Sequence, residues 1–462
     1  MNIVSYRGPG MAGGVSASLS RLWAEAHPHG SRWAYPEGTS VMAFGGPAQE
    51  AEQLGLIPQF VVDGHYRFCN NFLWPVMHDM PGQASYSALD HRLYTKFNSL
   101  LARHMAGAGR WWSPWYFVQD YQLAFLPTYL AALPRARCLV FWHIPWPSSV
   151  TVQHAAALRG LARALIACEA IGFHTQEYAI NFLRFVDQHL PDSIVDWHRG
   201  LIDGRTHVVA MPLGVDLDHW QVASSREADV FDKEQLAALR ACRFILSVDR
   251  ADYTKGVAER LEMIHLFLER HAEYRSRVTF AQVCARTRPG LPAFDAYWNR
   301  CRELAAGLTR RWSEGGWQPL LWIETALAPD DLAILYREAD AMLVNPVRDG
   351  LNLTAKEFVA CQNARPGVLL LSSGAGVWHE LGNLSIPVNP QKSEQMADLV
   401  KAALTMRNAE RLVRIDLMKE KLKQNTLHHW WCFFNEQVPE LVRKASADAR
   451  LRSAQERSVR FR

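Results

Sequence analysis

Short runs of bulky apolar residues alternate with stretches of helical spacing along this chain, and the alternation runs through once and then starts again. Residues 2–6 read as a strand, Gly13 and Gly14 lie in the following loop, and 15–26 carry helical spacing through Val15, Leu19, Leu22 and Trp23. Residues 116–120 and 138–142 read as strands separated by a helical 123–133. A helix over 155–170 leads into a strand at 171–174. The polar stretch 224–233 lacks bulky apolar periodicity and reads as a linker. After it come strands at 244–248, 278–283, 320–323, 341–344 and 368–372, with a helix over 257–270 and further helices between them. Strand–helix alternation of this kind calls for parallel sheets covered by helices on both faces. The expected fold class is α/β, with two Rossmann-like domains facing a cleft, over 1–223 and 224–442. Ligands in such sheets bind beyond the carboxyl ends of the strands. The basic, Ser/Ala/Arg-rich stretch 443–462 reads as a disordered tail.

A chain of 462 residues is too long for one ordinary core, in keeping with two domains. Charged residues make up 21% and the net charge is only +4, so nothing calls for nucleic acid or a membrane as partner. The eight cysteines are scattered, with no C-x-x-C pair, and read as free thiols in a reducing cytoplasm. No leader pattern is visible at the start, and no apolar run approaches the roughly 18–20 residues that span a bilayer. The expected location is therefore cytoplasmic. His428 and Cys432 have i, i+4 spacing but sit in an apolar stretch, which reads as packing rather than metal ligation.

Five strings carry candidate chemistry. Residues 247–256 read S-V-D-R-A-D-Y-T-K-G, placing Arg250 just past a buried strand and Lys255 in the loop that opens a helix. Two cations there suit a diphosphate, Arg as a fork and Lys as a point charge; taken alone, the string reads more readily as surface charge on a loop. Residues 345–357 read N-P-V-R-D-G-L-N-L-T-A-K-E. Gly350 permits a turn, and the N–H groups of a helix start at 351–354 would suit phosphate oxygens. Glu357 could accept from ribose hydroxyls and Asp349 from a hexose, while a capped helix with a polar first turn is the plainer alternative. His143 lies in F-W-H-I-P-W-P, where a lone histidine is more often structural, Asp120 ends a strand in V-Q-D-Y-Q-L, and 70–75 read N-N-F-L-W-P.

Taken together, these strings resemble the trehalose-6-phosphate synthase family of retaining glycosyltransferases. R-x-D-Y-x-K-G at 250–256, R-D-G-x-N-L-x-A-K-E at 348–357, H-I-P-x-P at 143–147 and N-x-x-L-W-P at 70–75 match in the family's order. So do G-F-H-T at 172–175 and P-L-G-V-D at 212–216. The resemblance covers 1 to about 437. It implies a GT-B fold that works without a metal or other cofactor, the C-terminal domain holding a nucleotide-sugar and the N-terminal domain the acceptor. On the donor side it assigns Gly13, Gly14, Arg250, Lys255, Leu327 and the segment Leu353, Thr354, Ala355, Lys356 and Glu357. On the acceptor side it assigns Arg7, His65, Trp74, Asp120 and Arg288, with Trp74 and Ile144 tied to anomer selectivity. His143, Asp120, Arg250, Lys255 and Asp349 would carry the catalysis.

The departures from the family fall in the acceptor half. His65 stands where the family has a tyrosine, Gln119-Asp120-Tyr121-Gln122 replaces H-D-Y-H, and the first strand ends in Tyr6-Arg7. The implied reaction moves glucose from a UDP-, GDP- or ADP-glucose to a sugar-phosphate, giving trehalose 6-phosphate when the acceptor is glucose 6-phosphate. A glucosylglycerol-phosphate synthase using a polyol-phosphate and a cyclitol-joining pseudo-glycosyltransferase are the alternatives. A catalytically silent sugar-phosphate sensor is the reading outside catalysis, and a homo-oligomer is compatible with all of them.

Overall fold

A computed structural model describes residues 1–11, 13–26, 31–45, 50–108, 113–226 and 241–445. The chain forms two compact units, one of Met1–Leu213 with Leu427–Arg462 and one of Gly214–Thr426.

The first unit holds β1 (Asn2–Val4), β2 (Arg32–Glu37), β3 (Ser40–Gly45), β4 (Ala51–Leu56), β5 (Trp115–Gln119), β6 (Arg137–Trp142), β7 (Ala170–Phe173), β8 (Val195–Asp196), β9 (Leu201–Ile202) and β10 (Thr206–Ala210). They make one sheet in the order β4-β3-β2-β1-β5-β6-β7-β10-β9-β8. The run from β2 to β10 is parallel, and antiparallel strands extend each edge. Its central strands, such as the L-V-F-W run of β6, are buried along their length because helices cover both faces. The parallel order reverses direction between β1 and β5. Loops leaving those two strands diverge to opposite faces and open a crevice at the strand ends.

The second unit holds β11 (Arg243–Arg250), β12 (Val278–Ala285), β13 (Leu320–Ile323), β14 (Ala341–Val344), β15 (Val368–Ser372) and β16 (Ile386–Val388). All are parallel, in the order β13-β12-β11-β14-β15-β16. This is the 3-2-1-4-5-6 order of the dinucleotide-binding Rossmann sheet, with its switch point between β11 and β14.

Three boundaries differ from the sequence expectation. The units divide at Leu213/Gly214, not at 223/224. The helix Leu217–Ser225 belongs to the second unit, where it packs on the helices Pro329–Glu338 and Leu353–Cys361 and buries Trp220. Part of the expected linker, 227–233, lies outside the described residues, as does most of the basic tail; helix runs through 445. Residues 123–133 are a short 3-10 turn, Tyr121–Leu123, and a five-residue helix, Leu126–Leu130. Asp120 takes a left-handed φ of 71° before that turn, and Pro127 lacks the N–H a continuous helix would need there.

The segment from Leu427 covers the first unit's parallel sheet. Its helix Leu427–Cys432 passes into a π-helical turn, Phe433–Gln437, which aims Phe434 at Phe117 and Phe141, with ring centroids 5.3 and 5.2 Å apart. A Cβ at Gly172 of the G-F-H-T string would come within 2.6 Å of the Phe434 ring, so only glycine admits this packing.

The first unit's core also absorbs His65. The ring is fully buried, lies 3.9 Å from Phe97 and 5.3 Å from Tyr6, centroid to centroid, and its Nε2 bonds the Gln122 carbonyl at 2.9 Å. Burial pushes its pKa down to about 4, against which the carbonyl bond works only partly. His65 is thus a neutral core residue, not the titratable acceptor ligand expected in place of a tyrosine.

Two outcomes follow from this packing. Phe434→Ala should lower the stability of the first unit by about 3–5 kcal/mol, read from the urea midpoint; an unchanged midpoint would refute the role of the C-terminal segment. For His65, the unfolded state gains a proton as pH falls below about 6.5, whereas the folded state gains it only near 4. Its stabilisation is complete above 6.5 and is lost towards 4, about 2 kcal/mol of it by pH 5. The stability gap between the natural protein and His65→Phe should therefore narrow by about that amount between pH 7 and pH 5. A gap that stays constant with pH would show that His65 is not held neutral.

Candidate active site

In the second unit the site grows from the ends of β11 and β14, the two strands at the switch point. The loop after β11 is held tight by Asp252, whose Oδ1 accepts from the Thr254 N–H at 3.1 Å and the Thr254 hydroxyl at 3.0 Å. Gly256 then adopts φ 68°, and a Cβ there would stand 2.3 Å from the Asn345 carbonyl oxygen. That close approach brings the Lys255 loop against the loop after β14. Lys255 Nζ meets Asp349 Oδ2 at 2.5 Å, with both side chains about one-eighth exposed. Asp349 Oδ2 also accepts from Asn352 Nδ2 at 3.1 Å, and the Asp349 N–H donates to the Gly374 carbonyl at 2.8 Å.

Asn352, with φ 80°, caps the helix Leu353–Cys361, its Oδ1 accepting from the Ala355 N–H at 3.2 Å and the Thr354 hydroxyl at 2.8 Å. The Ala355 N–H is thereby committed to the cap. The N–H groups of Leu353 and Thr354 lie in the first turn, which has no intrahelical acceptors. Glu357 is half-buried on the next turn and accepts from the Tyr336 hydroxyl at 3.0 Å. Lys356 departs from the expectation. It is wholly buried and paired with Glu380 Oε2 at 2.6 Å, because its position falls on the helix face turned towards the core. Leu327 lies in the loop after β13 and is half-buried.

Beneath these loops lies Arg260, which the sequence analysis passed over. Its guanidinium is buried and donates to Asn345 Oδ1 at 2.6 Å, Gln282 Oε1 at 2.6 Å and Asp249 Oδ2 at 2.8 Å. One side chain thus ties the ends of β11 and β14 to the middle of β12. Burial raises the Asp249 pKa, and the charge of Arg260 opposes that rise. An arginine on the apolar face shared by Val257, Leu261 and Ile264 was the available signal. Arg288, expected as an acceptor-phosphate ligand, donates from Nη1 to the buried Asp252 at 2.6 Å and stacks over Phe294 at 4.7 Å. Asp252 thus serves both the Lys255 loop and Arg288.

In the first unit, the ends of β1, β5, β6 and β7 assemble a second set. Arg7 is exposed past the end of β1, and a Cβ on Gly13 (φ 141°) would lie 3.0 Å from its Nη1. Gly14 is the first residue of the helix Gly14–Ala26. The N-N-F-L-W-P string lies on the π-helical turn Phe68–Leu73 and the short helix after it. That turn buries Trp74 against His78, ring centroids 4.1 Å apart, and Ile144 is buried too.

Asp120 Oδ1 accepts from the His143 backbone N–H at 3.0 Å. The His143 ring is buried, and burial pushes its pKa down to about 3. Its Nε2 meets Gln119 Oε1 at 2.9 Å and its Nδ1 meets His174 Nε2 at 3.3 Å, while His174 Nδ1 accepts from the Leu213 N–H at 3.2 Å. Both His143 nitrogens are committed to the protein. The ring expected among the catalytic residues is held buried and neutral, with a partner on each nitrogen.

Among the described residues, no three His, Cys, Asp or Glu side chains gather as ligands for a metal ion, and no helix is long and apolar enough to cross a membrane. All eight cysteines are free thiols.

Comparison with known proteins agrees with this arrangement. The bifunctional trehalose-6-phosphate synthase/phosphatase of Thermoproteus tenax is 31% identical over 376 residues, which are 80% of this chain and 51% of that protein. This chain therefore spans about half of that relative. The UDP-forming alpha,alpha-trehalose-phosphate synthase of Pichia angusta is 29% identical, with 83% of this chain and 82% of that one covered. The crystal structure of a UDP-forming alpha,alpha-trehalose-phosphate synthase from Burkholderia xenovorans, in complex with glucose-6-phosphate, superposes with a TM-score of 0.85 at 28% identity. That match covers 95% of this chain and 99% of the other. The family model of glycosyltransferase family 20 matches residues 55–440. With two Rossmann-like units, R-x-D-Y-x-K-G and R-D-G-x-N-L-x-A-K-E at the β11/β14 switch point, and these likenesses, the chain belongs to glycosyltransferase family 20, the trehalose-6-phosphate synthase family.

Proposed function

We propose that this protein transfers glucose, with retention at the anomeric carbon, from UDP-glucose to glucose 6-phosphate, forming trehalose 6-phosphate. The observation that carries this reading is the Lys255–Asp349 pair, set between Arg250 and the capped helix start at Leu353. Cations and helix N–H groups gathered at one switch point suit a departing diphosphate, and a carboxylate beside them suits sugar hydroxyls. UDP is the favoured donor nucleotide because the Pichia angusta and Burkholderia xenovorans proteins are UDP-forming, and glucose 6-phosphate is favoured because a structural neighbour was solved with it.

In this reading Arg250 and Lys255 stabilise the charge that grows on the leaving diphosphate, and Glu357 takes the ribose hydroxyls. The leaving phosphate accepts the acceptor's proton on the same face, which agrees with a His143 ring whose nitrogens are occupied. Asp120 receives acceptor hydroxyls, and Arg7 receives the acceptor phosphate. Arg288 is held in place by its ion pair to the buried Asp252. Arg250 and Lys255 supply the positive charge that a metal supplies in other transferases, so no metal is required.

Nucleoside diphosphate release, measured with UDP-, GDP- and ADP-glucose against a set of acceptors, tests the reading. Glucose 6-phosphate should exceed free glucose by orders of magnitude in kcat/KM. Preference for glycerol 3-phosphate or a cyclitol phosphate would replace the proposed acceptor, and no turnover with any pair would point to the sensor. Lys255→Ala and Arg250→Ala should each lower kcat about 100–1000-fold; near-normal turnover in either folded variant would remove the donor-site assignment. Exhaustive chelation should leave activity intact, and a loss restored by a divalent cation would overturn the metal-free mechanism.

A further inference from the structure

The hydrogen bonds around His143 form a chain whose direction can be deduced. Four groups are in line: the Leu213 peptide N–H, the His174 ring, the His143 ring and the Gln119 amide, at 3.2, 3.3 and 2.9 Å. A peptide N–H can only donate, so His174 Nδ1 must accept and carry no proton. In a neutral ring the proton then sits on His174 Nε2, which donates to His143 Nδ1. His143 in turn carries its proton on Nε2 and donates to Gln119 Oε1. The reverse direction would let the Gln119 NH2 donate to His143, but it would end with a His174 Nδ1–H facing the Leu213 N–H. Two donors would meet in a buried site. The forward direction leaves the Gln119 Nε2 buried with no partner among the described residues. That orphan costs about 1–3 kcal/mol. The peptide bond cannot turn, so the orphan falls on the amide at the far end.

We propose that His174 is a positioning residue: it locks His143 in the neutral, Nε2-protonated tautomer, and through the His143 backbone N–H it sets the Asp120 carboxylate that receives the acceptor. Asp120 needs such a hold, because its φ of 71° is unfavourable for a residue other than glycine. His143 supplies it with the 3.0 Å bond from its N–H to Asp120 Oδ1. The two rings are 3% and 6% exposed, and their centroids lie 5.1 Å apart. Phe141 packs on both rings and Trp430 on that of His143, so neither ring can swing away to find water. The tautomer stands on geometry alone; the link to the acceptor rests on the reading of Asp120 given above.

The test combines a spectroscopic and a kinetic readout on the full chain. With ¹⁵N-labelled histidine, and His143→Gln used to assign its ring signals, the ring shifts report which nitrogen of His143 carries the proton. The natural protein should show the single Nε2–H form at pH 7. His174→Phe, which cannot donate, should release the ring into mixed tautomers. It should raise the KM for the acceptor about tenfold, the cost of one buried hydrogen bond, while the donor KM stays unchanged. His174→Gln offers both an acceptor oxygen and an NH2 donor, and should restore the single tautomer and the acceptor KM. A natural His143 protonated on Nδ1 or on both nitrogens would overturn the proposal, as would a His174→Phe protein that keeps both tautomer and acceptor KM. If His174→Phe fails to fold, the natural protein and His174→Gln still decide the tautomer. The expected tautomer and its response to substitution, found in a protein that turns over no nucleotide-sugar, would instead leave the positioning chain standing and remove the catalytic reading.

Discussion

A single buried guanidinium holds the second unit's site together. Burying a charge is expensive unless it is paired and its donors are filled, and Arg260 meets both conditions. Asp249 supplies the countercharge, while Asn345 and Gln282 take the remaining forks. Asp249 lies near the end of β11, Asn345 just past β14 and Gln282 within β12, so the pairing fixes three neighbouring strands relative to one another. Asn345 then passes the constraint outward by donating to the Gly256 carbonyl at 3.0 Å, which sets where the Lys255 loop turns into its helix. Removing the guanidinium would leave the Asp249 carboxylate buried without its counter-ion, so the loops could not keep their spacing by relaxing locally. The Lys255–Asp349 pair at the surface of this stack is positioned from below rather than by its own attraction.

The first unit reaches a comparable rigidity without charge. Its strand ends are joined through neutral donors and acceptors, the Leu213 N–H, two imidazoles and an amide, under a cover of aromatic rings. The difference suits the ligands proposed for each half. A diphosphate needs fixed positive charge, which must be paired when it is empty, and Asp349 serves Lys255 in that state. Sugar hydroxyls need oriented neutral dipoles and one carboxylate, and an imidazolium close to Asp120 would compete for that carboxylate. Burial deep enough to keep His143 uncharged leaves no imidazolium beside Asp120.

Much of this was legible in the sequence, for a physical reason. Parallel strands covered on both faces must be continuous apolar runs, and those of β12, β13, β14 and β15 stand out in any reading. The antiparallel strands β3, β4, β8 and β9 did not, because their residues are partly exposed or only two per strand, and the parallel strands β2, β10 and β16, which carry Arg, Glu, His or Pro, were missed as well. The motif strings placed Arg250, Lys255, Asp349, Asp120 and His143 at strand ends, where the structure has them. What a string cannot say is which way a side chain faces within its element. Lys356 and Glu357 are neighbours on one helix, yet Lys356 points into the core and Glu357 does not. His65 reads as a polar substitution beside a tyrosine, and only the surrounding Tyr6, Tyr94 and Phe97 make it a core residue. Arg260 was hidden by the opposite error, a charge on an apolar stripe passed over as part of the helix face.

The misplaced domain boundary has the same kind of cause. A polar stretch reads as the place where one core ends, but polarity marks solvent, and a boundary is where contacts stop. Those two conditions separate here. The helix Leu217–Ser225 lies between the boundary and the polar stretch and buries Trp220 within the second unit, its Cys361 thiol meeting the Trp220 carbonyl at 3.6 Å. The chain enters that unit just before Val215 and leaves it just after Thr426, and these two residues pair as a parallel bridge. Entry and exit are thus stitched to each other by backbone hydrogen bonds, which need no particular side chains. A boundary made of paired backbone leaves no compositional trace, whereas the polar stretch ten residues later leaves a strong one.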